Sequence, residues 1–353
     1  MLDQQEIIHA VEADFDTIFS WDYERSRGSL VKLYEKAKTS QWNASTDLDW
    51  SIDVDPEKIG RELGGGGPQR FQALQDAEDS PVKHFGDKEW RQVSVEIQNS
   101  LLSQFMHGEQ GALLCTARIV ETVPWIDAKY YAATQVMDEA RHVEVFARYL
   151  DEKLGSQYGI NDNLKAILDD ILRDPRWDIA YLGMQIMVEG LALAAFGMLH
   201  QITTEPLLKK LLRYVMSDEA RHVAFGVLSL QEFYTQLSDA EMRERQEFAF
   251  DVAKRLQRRF AHTEMWAKMG VDPDAVYRTM DRVNPPAQQM FQRLLFSKIV
   301  PNCKKLGLID ASGGWLRERF TEIGVIEFEN LADTGEEYAE LDEVARDRET
   351  AGA

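Results

Sequence analysis

The chain has 353 residues, 44% of them hydrophobic, and carries 60 acidic against 40 basic side chains for a formal net charge of −20. Such a surface repels phosphate backbones and anionic headgroups, which argues against nucleic acid and membrane partners. Two cysteines, Cys115 and Cys303, are too few for a disulfide framework and point to a reducing compartment.

Residues 1–22 alternate apolar and acidic positions and are expected as a helix packing on the outside. The opening Met1-Leu2-Asp3-Gln4-Gln5-Glu6 lacks the basic and apolar regions of a signal peptide, so a cytoplasmic protein is expected. A second helix is expected over 25–40, with Leu30, Leu33 and Tyr34 on one side. The stretch 41–51 is rich in turn formers. Its aspartates lack the glycine and terminal glutamate of a calcium loop. Gly64-Gly65-Gly66-Gly67-Pro68 reads as a flexible break, without the Lys-Ser/Thr pair of a phosphate loop. Strand signals are almost absent.

Four long helices follow, over 88–122, 125–154, 178–202 and 206–236, with a short one at 161–173 between the second and third. The longest apolar run, 186–199, lies in the third; it is interrupted by Glu189 and is too short to span a bilayer. Ser238-Asp239-Ala240-Glu241 is a capping box opening a helix over 239–268. Prolines begin two more, near 273–282 and 285–305. From about residue 315 the chain turns acidic and loses its pattern, with Phe328, Leu331, Tyr338 and Leu341 scattered among Glu and Asp; disorder is expected there. The organisation read from this is an N-terminal part at 1–87, a helical bundle at 88–310 and an acidic tail at 311–353.

One stretch occurs twice. Asp-Glu-Ala-Arg-His-Val fills 138–143 and again 218–223, giving Glu139 with His142 and Glu219 with His222. Three residues along an α-helix advance about 4.5 Å and return to within about 60° of the start, so carboxylate and imidazole leave one face together. Thirty residues before each motif glutamate a single Glu sits in an apolar helix: Glu109 and Glu189. The midpoints between the paired glutamates fall at Pro124 and at Thr204, two residues before Pro206, where helices end. Each pair of helices is therefore a hairpin that sets a lone Glu opposite a Glu-x-x-His. Four converging carboxylates need cations, and two ferrous ions would neutralise them. Glu96 is a rival first ligand, but its spacing to Glu139 breaks the symmetry of the hairpins.

This pattern, one Glu from each of two helices and Glu-x-x-His from the other two, resembles the ferritin-like di-iron carboxylate superfamily, in the branch of ribonucleotide reductase small subunits and di-iron oxygenases. The match covers about residues 88–235. The resemblance implies an all-α fold, a ferritin-like four-helix bundle with additional N- and C-terminal helices. It also implies two iron ions, with a manganese–iron pair as a variant, held by Glu109, Glu139, His142, Glu189, Glu219 and His222, two of the glutamates bridging. In similar proteins an aspartate equivalent to Asp138 or Asp218 accepts the second N–H of a ligand histidine on the other hairpin, and Arg141 and Arg221 would neutralise that pair. Gln135 and Gln185, each four positions before a ligand glutamate, are expected to hydrogen-bond into the site.

Within the superfamily, departures discriminate. Where radical-generating reductase subunits usually carry a tyrosine, four residues after the first motif histidine, this chain has Phe146. Trp42, in Gln41-Trp42-Asn43-Ala44, resembles their electron-transfer tryptophan, with Asp218 and His142 completing a path. Bacterial multicomponent monooxygenases place a threonine where Leu193 stands, and arylamine N-oxygenases a histidine where Val215 stands. Leu113, Phe146, Ala192, Leu193, Phe196 and Phe225 lie within helical reach of the ligands and are expected to wall an apolar, water-excluding pocket.

The expectation is an O2-activating non-haem di-iron monooxygenase or oxidase acting on a small or acyl-type organic substrate. Its electrons would come from a ferredoxin or reductase, and it is expected as a homodimer. Two alternatives stand beside it: a reductase-like radical subunit docking on its partner through the acidic tail, and a ferroxidase or iron-binding protein.

Overall fold

In the computed structural model, residues 8–63, 71–283 and 291–335 are described. Among them there is no strand. Thirteen helices are used below: α1 Gly28–Thr39, α2 Pro56–Leu63, α3 Gln72–Asp76, α4 Asp87–Thr122, α5 Ile126–Tyr149, α6 Asp162–Arg173, α7 Trp177–Ile202, α8 Pro206–Tyr234, α9 Asp239–Arg258, α10 Thr263–Lys268, α11 Pro273–Val283, α12 Ile299–Lys305 and α13 Ala311–Glu322.

Two helical hairpins make the centre. Helices α4 and α5 pair across the turn at Val123–Trp125, and α7 and α8 pair across Thr203–Glu205. The second turn is fastened from within. Glu205 caps α8 by accepting from the backbone N–H of Leu207 and Leu208, and Pro206 takes the first helical position, where its missing N–H costs nothing. The buried Tyr149 hydroxyl at the end of α5 donates to the same carboxylate at 3.0 Å, which ties one hairpin to the other. The α5-to-α7 connection is long, carries α6, and crosses over as in ferritin-like bundles.

Helix α7 is the most buried element, with every residue from Leu182 to Phe196 inside. It is long and apolar enough to cross a membrane, but 83% of its most apolar window is covered by the protein's own helices. Leu182–Val188 winds as a π-helix immediately before Glu189. That widened turn needs close neighbours without side chains. A Cβ on Gly226 of α8 would stand 2.7 Å from the Gln185 Cβ and 3.2 Å from Ile186 Cδ1.

Around the centre, α1 packs on α5 and α8, α2 on α4, α9 on the first half of α7, and α13 on α9. A second, smaller apolar cluster of Phe71, Trp90, Trp266 and Met280 lies between α3, the start of α4, α10 and α11.

Four expectations are corrected. Residues 8–27 are not a helix but a strap, fixed by Ile18 N–H on the Glu121 carbonyl at 2.8 Å, an Arg25–Asp127 ion pair, and Arg27 lying 3.8 Å over the Trp125 ring. Their apolar–acidic alternation has a period of two, which suits extended backbone and not an α-helix. The helix expected over 239–268 breaks after Arg258, because His262 takes a left-handed conformation with φ 51°. The stretch from 315, expected to lack order, is helical to Glu322 and has a 3-10 turn at Ile326–Asn330. Leu316, Phe320 and Val325 anchor it in the core, while its acids pair with Arg317, Lys304 and Arg319. The helix expected at 285–305 is helical over 291–294 and again over Ile299–Lys305, with turns between. Its first residues, the Gly64–Pro68 break, and Tyr338 and Leu341 lie outside the described residues.

Gly226→Ala is expected to force α8 away from the π-segment and to lower stability by about 1–3 kcal/mol, the usual range for overpacking a core. Urea unfolding followed by circular dichroism measures this, and an unchanged midpoint would show that the close approach is not needed.

Candidate metal centre

The two hairpins bring Glu109 of α4, Glu139 and His142 of α5, Glu189 of α7, and Glu219 and His222 of α8 into one buried cluster. Donor atoms of Glu109, Glu139, His142 and Glu219 lie within 4.8 Å of one another, as do those of Glu139, Glu189 and His222. His142 Nδ1 is 3.3 Å from Glu109, 3.4 Å from Glu139 and 3.1 Å from Glu219. His222 Nδ1 is 3.0 Å from Glu139 and 3.5 Å from Glu219. Glu139 and Glu219 thus stand between the two imidazoles, and Glu109 and Glu189 at opposite ends.

The Nδ1 atoms face inward because the Nε2 atoms are engaged outside, each by the aspartate of the other hairpin. His142 Nε2 is 3.1 Å from Asp218, and His222 Nε2 is 3.3 Å from Asp138. Arg141 donates to Asp138 at 2.6 Å and to Asp218 at 3.0 Å, and Arg221 pairs with Asp218 and stands 3.6 Å from Asp138. The repeated motif therefore closes on itself, with both aspartates balanced by both arginines. Gln41, absent from the sequence reading of the site, accepts from Arg141 at 2.8 Å and donates to Asp138 at 3.1 Å. Beside it the Trp42 indole N–H donates to Asp218 at 2.8 Å, its ring stacked 5.0 Å from Tyr214. Gln135 donates to Glu139 and to Glu189, both at 2.9 Å.

Gln185 does not share that role. Its nearest side-chain partner is Thr116, at 3.5 Å. The expectation assumed α-helical turns, but Gln185 sits in the π-segment, where four residues no longer complete a turn. Glu96, set aside on spacing, lies elsewhere and accepts from Tyr158 and Lys268.

The electrostatics are those of a site built for cations. Burial and repulsion from Glu219 push the Glu109 carboxyl up to about 8, and burial with repulsion from Glu139 and Glu219 raises Glu189. Burial also opposes charge on Glu139, but His222 and His142 outweigh it and hold that carboxyl well below the usual range. Both imidazoles are driven up, against burial, by the carboxylates around them. Protons are how such a cluster balances itself without metal, and cations that bind there displace them. Glu139 Oε2, Glu189 Oε2, both Glu219 oxygens and His222 Nδ1 make no hydrogen bond. Buried polar atoms left in that state are costly, and here they are oxygen and imidazole donors of the kind iron and manganese take.

A cavity of about 10 Å3, space for about one water, borders the cluster. It is lined by Phe105, Gly108, Glu109, Ala112, Val188, Glu189, Ala192, Glu219 and Arg259. Of the six residues expected to form a pocket, Ala192 alone is among them. Phe146 and Phe196 are stacked on each other in closed core, Phe225 packs on Tyr131 and Tyr181, Leu193 is buried away from the cavity, and Leu113 is half-buried outside it. Helical reach gives the face but not the facing helix, and close packing filled the space those side chains would have walled. Arg259 had no sequence signal, since it comes from beyond the bundle on the 3-10 turn Arg259–Ala261.

No family model matches the sequence, and no curated protein does. Among solved structures the chain is similar to a tyrosine-to-phenylalanine mutant of an R2-like ligand-binding oxidase with aerobically reconstituted Mn/Fe cofactor. The identity is 18% and the TM-score 0.50, over 81% of this chain and 94% of that one. A glycine-to-leucine mutant with anaerobically reconstituted Mn/Fe cofactor is similar at 18% identity and a TM-score of 0.47, over 81% of this chain and 95% of that one. At this identity the likeness speaks to the fold. The fold is an all-α helical bundle of the ferritin-like kind. The buried glutamate–histidine cluster could hold two metal ions, and its oxygen and imidazole donors suit iron or manganese.

The Asp138–Arg141–Asp218–Arg221 layer makes a prediction of its own. Arg221→Met leaves Asp218 and Asp138 short of a buried counter-charge and is expected to lower the stability of the metal-free protein by about 3–5 kcal/mol. Adding Asp218→Asn should return part of that loss in the same urea titration. A double mutant no more stable than the single would mean that the layer's charges are not coupled.

Proposed function

We propose that the chain is an oxidoreductase that activates O2 at two metal ions and oxidises a small organic substrate. The observation that carries this reading is the buried set of six donors with unsatisfied oxygens bordering a water-sized cavity. In this reading Glu109 and His142 hold one ion, Glu189 and His222 the other, and Glu139 and Glu219 lie between them. Two ferrous ions, or a manganese–iron pair, would supply the electrons that reduce O2.

The residues around the cluster divide the remaining work. Asp218 and Asp138 hold the imidazoles with Nδ1 inward, and Gln135 holds Glu139 and Glu189 at a fixed separation. On the histidine side the site is closed by Trp42, Gln41 and the arginines; on the other, Glu109, Glu189 and Glu219 face the cavity. Phe105, Ala112, Val188 and Ala192 keep bulk water out of it. Electrons for repeated turnover would come from a ferredoxin or reductase.

A radical-generating role is favoured by one specific feature, the continuous Trp42–Asp218–His142 hydrogen-bond path. Against a stable tyrosyl radical stands Phe146, which occupies the expected tyrosine position and is sealed among Phe105 and Phe196.

Anaerobic loading followed by metal analysis and stopped-flow absorption on mixing with O2 tests the reading. Two metal ions per chain are expected, with an absorbance transient whose decay is hastened by the right organic compounds. Glu139→Ala and His222→Ala should each lose at least one ion. Two ions retained in both variants would sink the ligand assignment, and an inert response to O2 would sink the activity.

A further inference from the structure

A row of aromatic rings leads from the cluster to the surface. Phe225 is fully buried and stands one turn after His222 on α8. Its ring centre lies 5.0 Å from that of Tyr181 on α7, and Tyr181 lies 5.7 Å from Trp177, the first residue of the same helix. Trp177 is 5.0 Å from Trp125, at the turn of the first hairpin, and 4.7 Å from Phe233. All four spacings are those of packed aromatic pairs. Tyr181 is fully buried, while both indoles are half-buried and reach solvent.

Electron transfer weakens steeply with distance, so packed rings carry it where saturated side chains would not. The rings are unequal as donors. Phenylalanine holds its electrons tightly. The Tyr181 hydroxyl makes no hydrogen bond and burial raises its pKa, so that phenol keeps its proton and resists oxidation. An indole gives up an electron without losing a proton, which leaves the tryptophans. Nearby cations decide among them. Arg141 lies 4.6 Å over Trp42, and Arg27 lies 3.8 Å over Trp125. Each is attracted to a neutral ring and would be repelled by a positive one. Trp177 is enclosed instead by Trp125, Tyr181 and Phe233, and among the described residues no lysine or arginine lies over its ring.

We propose that Trp177 is a one-electron donor to the metal centre, used when O2 reacts and no organic substrate is present. The inference rests on the O2 chemistry proposed above. One electron passes from Trp177 across Tyr181 and Phe225 to the centre, and the positive charge stays on the indole. Reduction of O2 to two waters takes four electrons and four protons. The two metal ions give two electrons, and a substrate would give the other two. Without substrate, Trp177 gives the third. An external thiol or ascorbate then refills the half-buried indole, which passes on the fourth, and the protons come from solvent. Oxidising power that would otherwise attack the ligands is thereby drained to the surface, on a path separate from Trp42.

The test uses the full chain loaded anaerobically with two ferrous ions, mixed with O2 without substrate, and frozen within milliseconds for electron paramagnetic resonance. An organic radical is expected whose hyperfine structure narrows when tryptophan is ring-deuterated and does not change when tyrosine is. Trp177→Phe should lower its yield at least tenfold, and Trp42→Phe should leave it. A radical that responds to tyrosine labelling, survives in Trp177→Phe or disappears in Trp42→Phe overturns the proposal. If Trp177→Phe does not fold, Tyr181→Leu opens the row and leaves both indoles in place; an unchanged yield there overturns it equally. A chain that does not take up two irons, or whose irons consume no O2, overturns the metal reading and this proposal with it. Two irons that consume O2 without forming the radical overturn this proposal alone.

Discussion

Four carboxylates from four helices meet where water is excluded, and the rest of the structure is arranged to make that tolerable. Like charges brought together in a low-dielectric core repel by several kcal/mol, and each loses its hydration. Glu109, Glu139, Glu189 and Glu219 can converge only if cations or protons converge with them. The upward shifts of Glu109, Glu189 and both histidines are the protonic form of that demand. The unsatisfied oxygens of Glu139, Glu189 and Glu219 are its structural form.

Outside the cluster the same constraint is met differently. Asp138, Asp218, Arg141 and Arg221 form a closed square of buried charge that needs no metal, and it fixes which imidazole nitrogen points inward. Each aspartate serves the histidine of the opposite hairpin, so the layer also clamps one hairpin to the other. The π-segment before Glu189 serves the same end on α7, at the expense of regular helix geometry beside a functional position. Gly226 lets α8 approach that segment closely enough to seal it.

The cavity gives the centre a direction. Histidines, aspartates and Trp42 occupy one side, while three glutamates, small apolar side chains and one guanidinium occupy the other. A site with a closed polar side and a small open apolar side has one place where a reacting molecule can stand. Arg259 brings to that place a charge from outside the bundle, so the peripheral helices contribute to the chemistry of the site as well as covering its core.

The local sequence determined the helices and the meeting of the six donors. Repeated Asp-Glu-Ala-Arg-His at equal distances from two helix-breaking turns leaves little freedom, because helix rise and hairpin symmetry convert spacing into height. The crosswise aspartate–histidine pairing was legible only through the resemblance to ferritin-like proteins, since it crosses between hairpins. Tertiary structure decided what depends on non-local neighbours. The strap at 8–27 and the ordering of 315–335 are set by contacts with distant helices, Ile18 on Glu121 and Arg317 on Glu329 among them. Gln185 lies in a π-turn against which Gly226 packs closely, a geometry that spacing alone does not reveal. Phe146, Phe196 and Phe225 became closed core, not pocket, because the helices opposite filled the space. Arg259 is the plainest case. Nothing in its neighbourhood of sequence marks it, and only the fold carries a charge from residue 259 to the wall of a site built by residues 109 to 222.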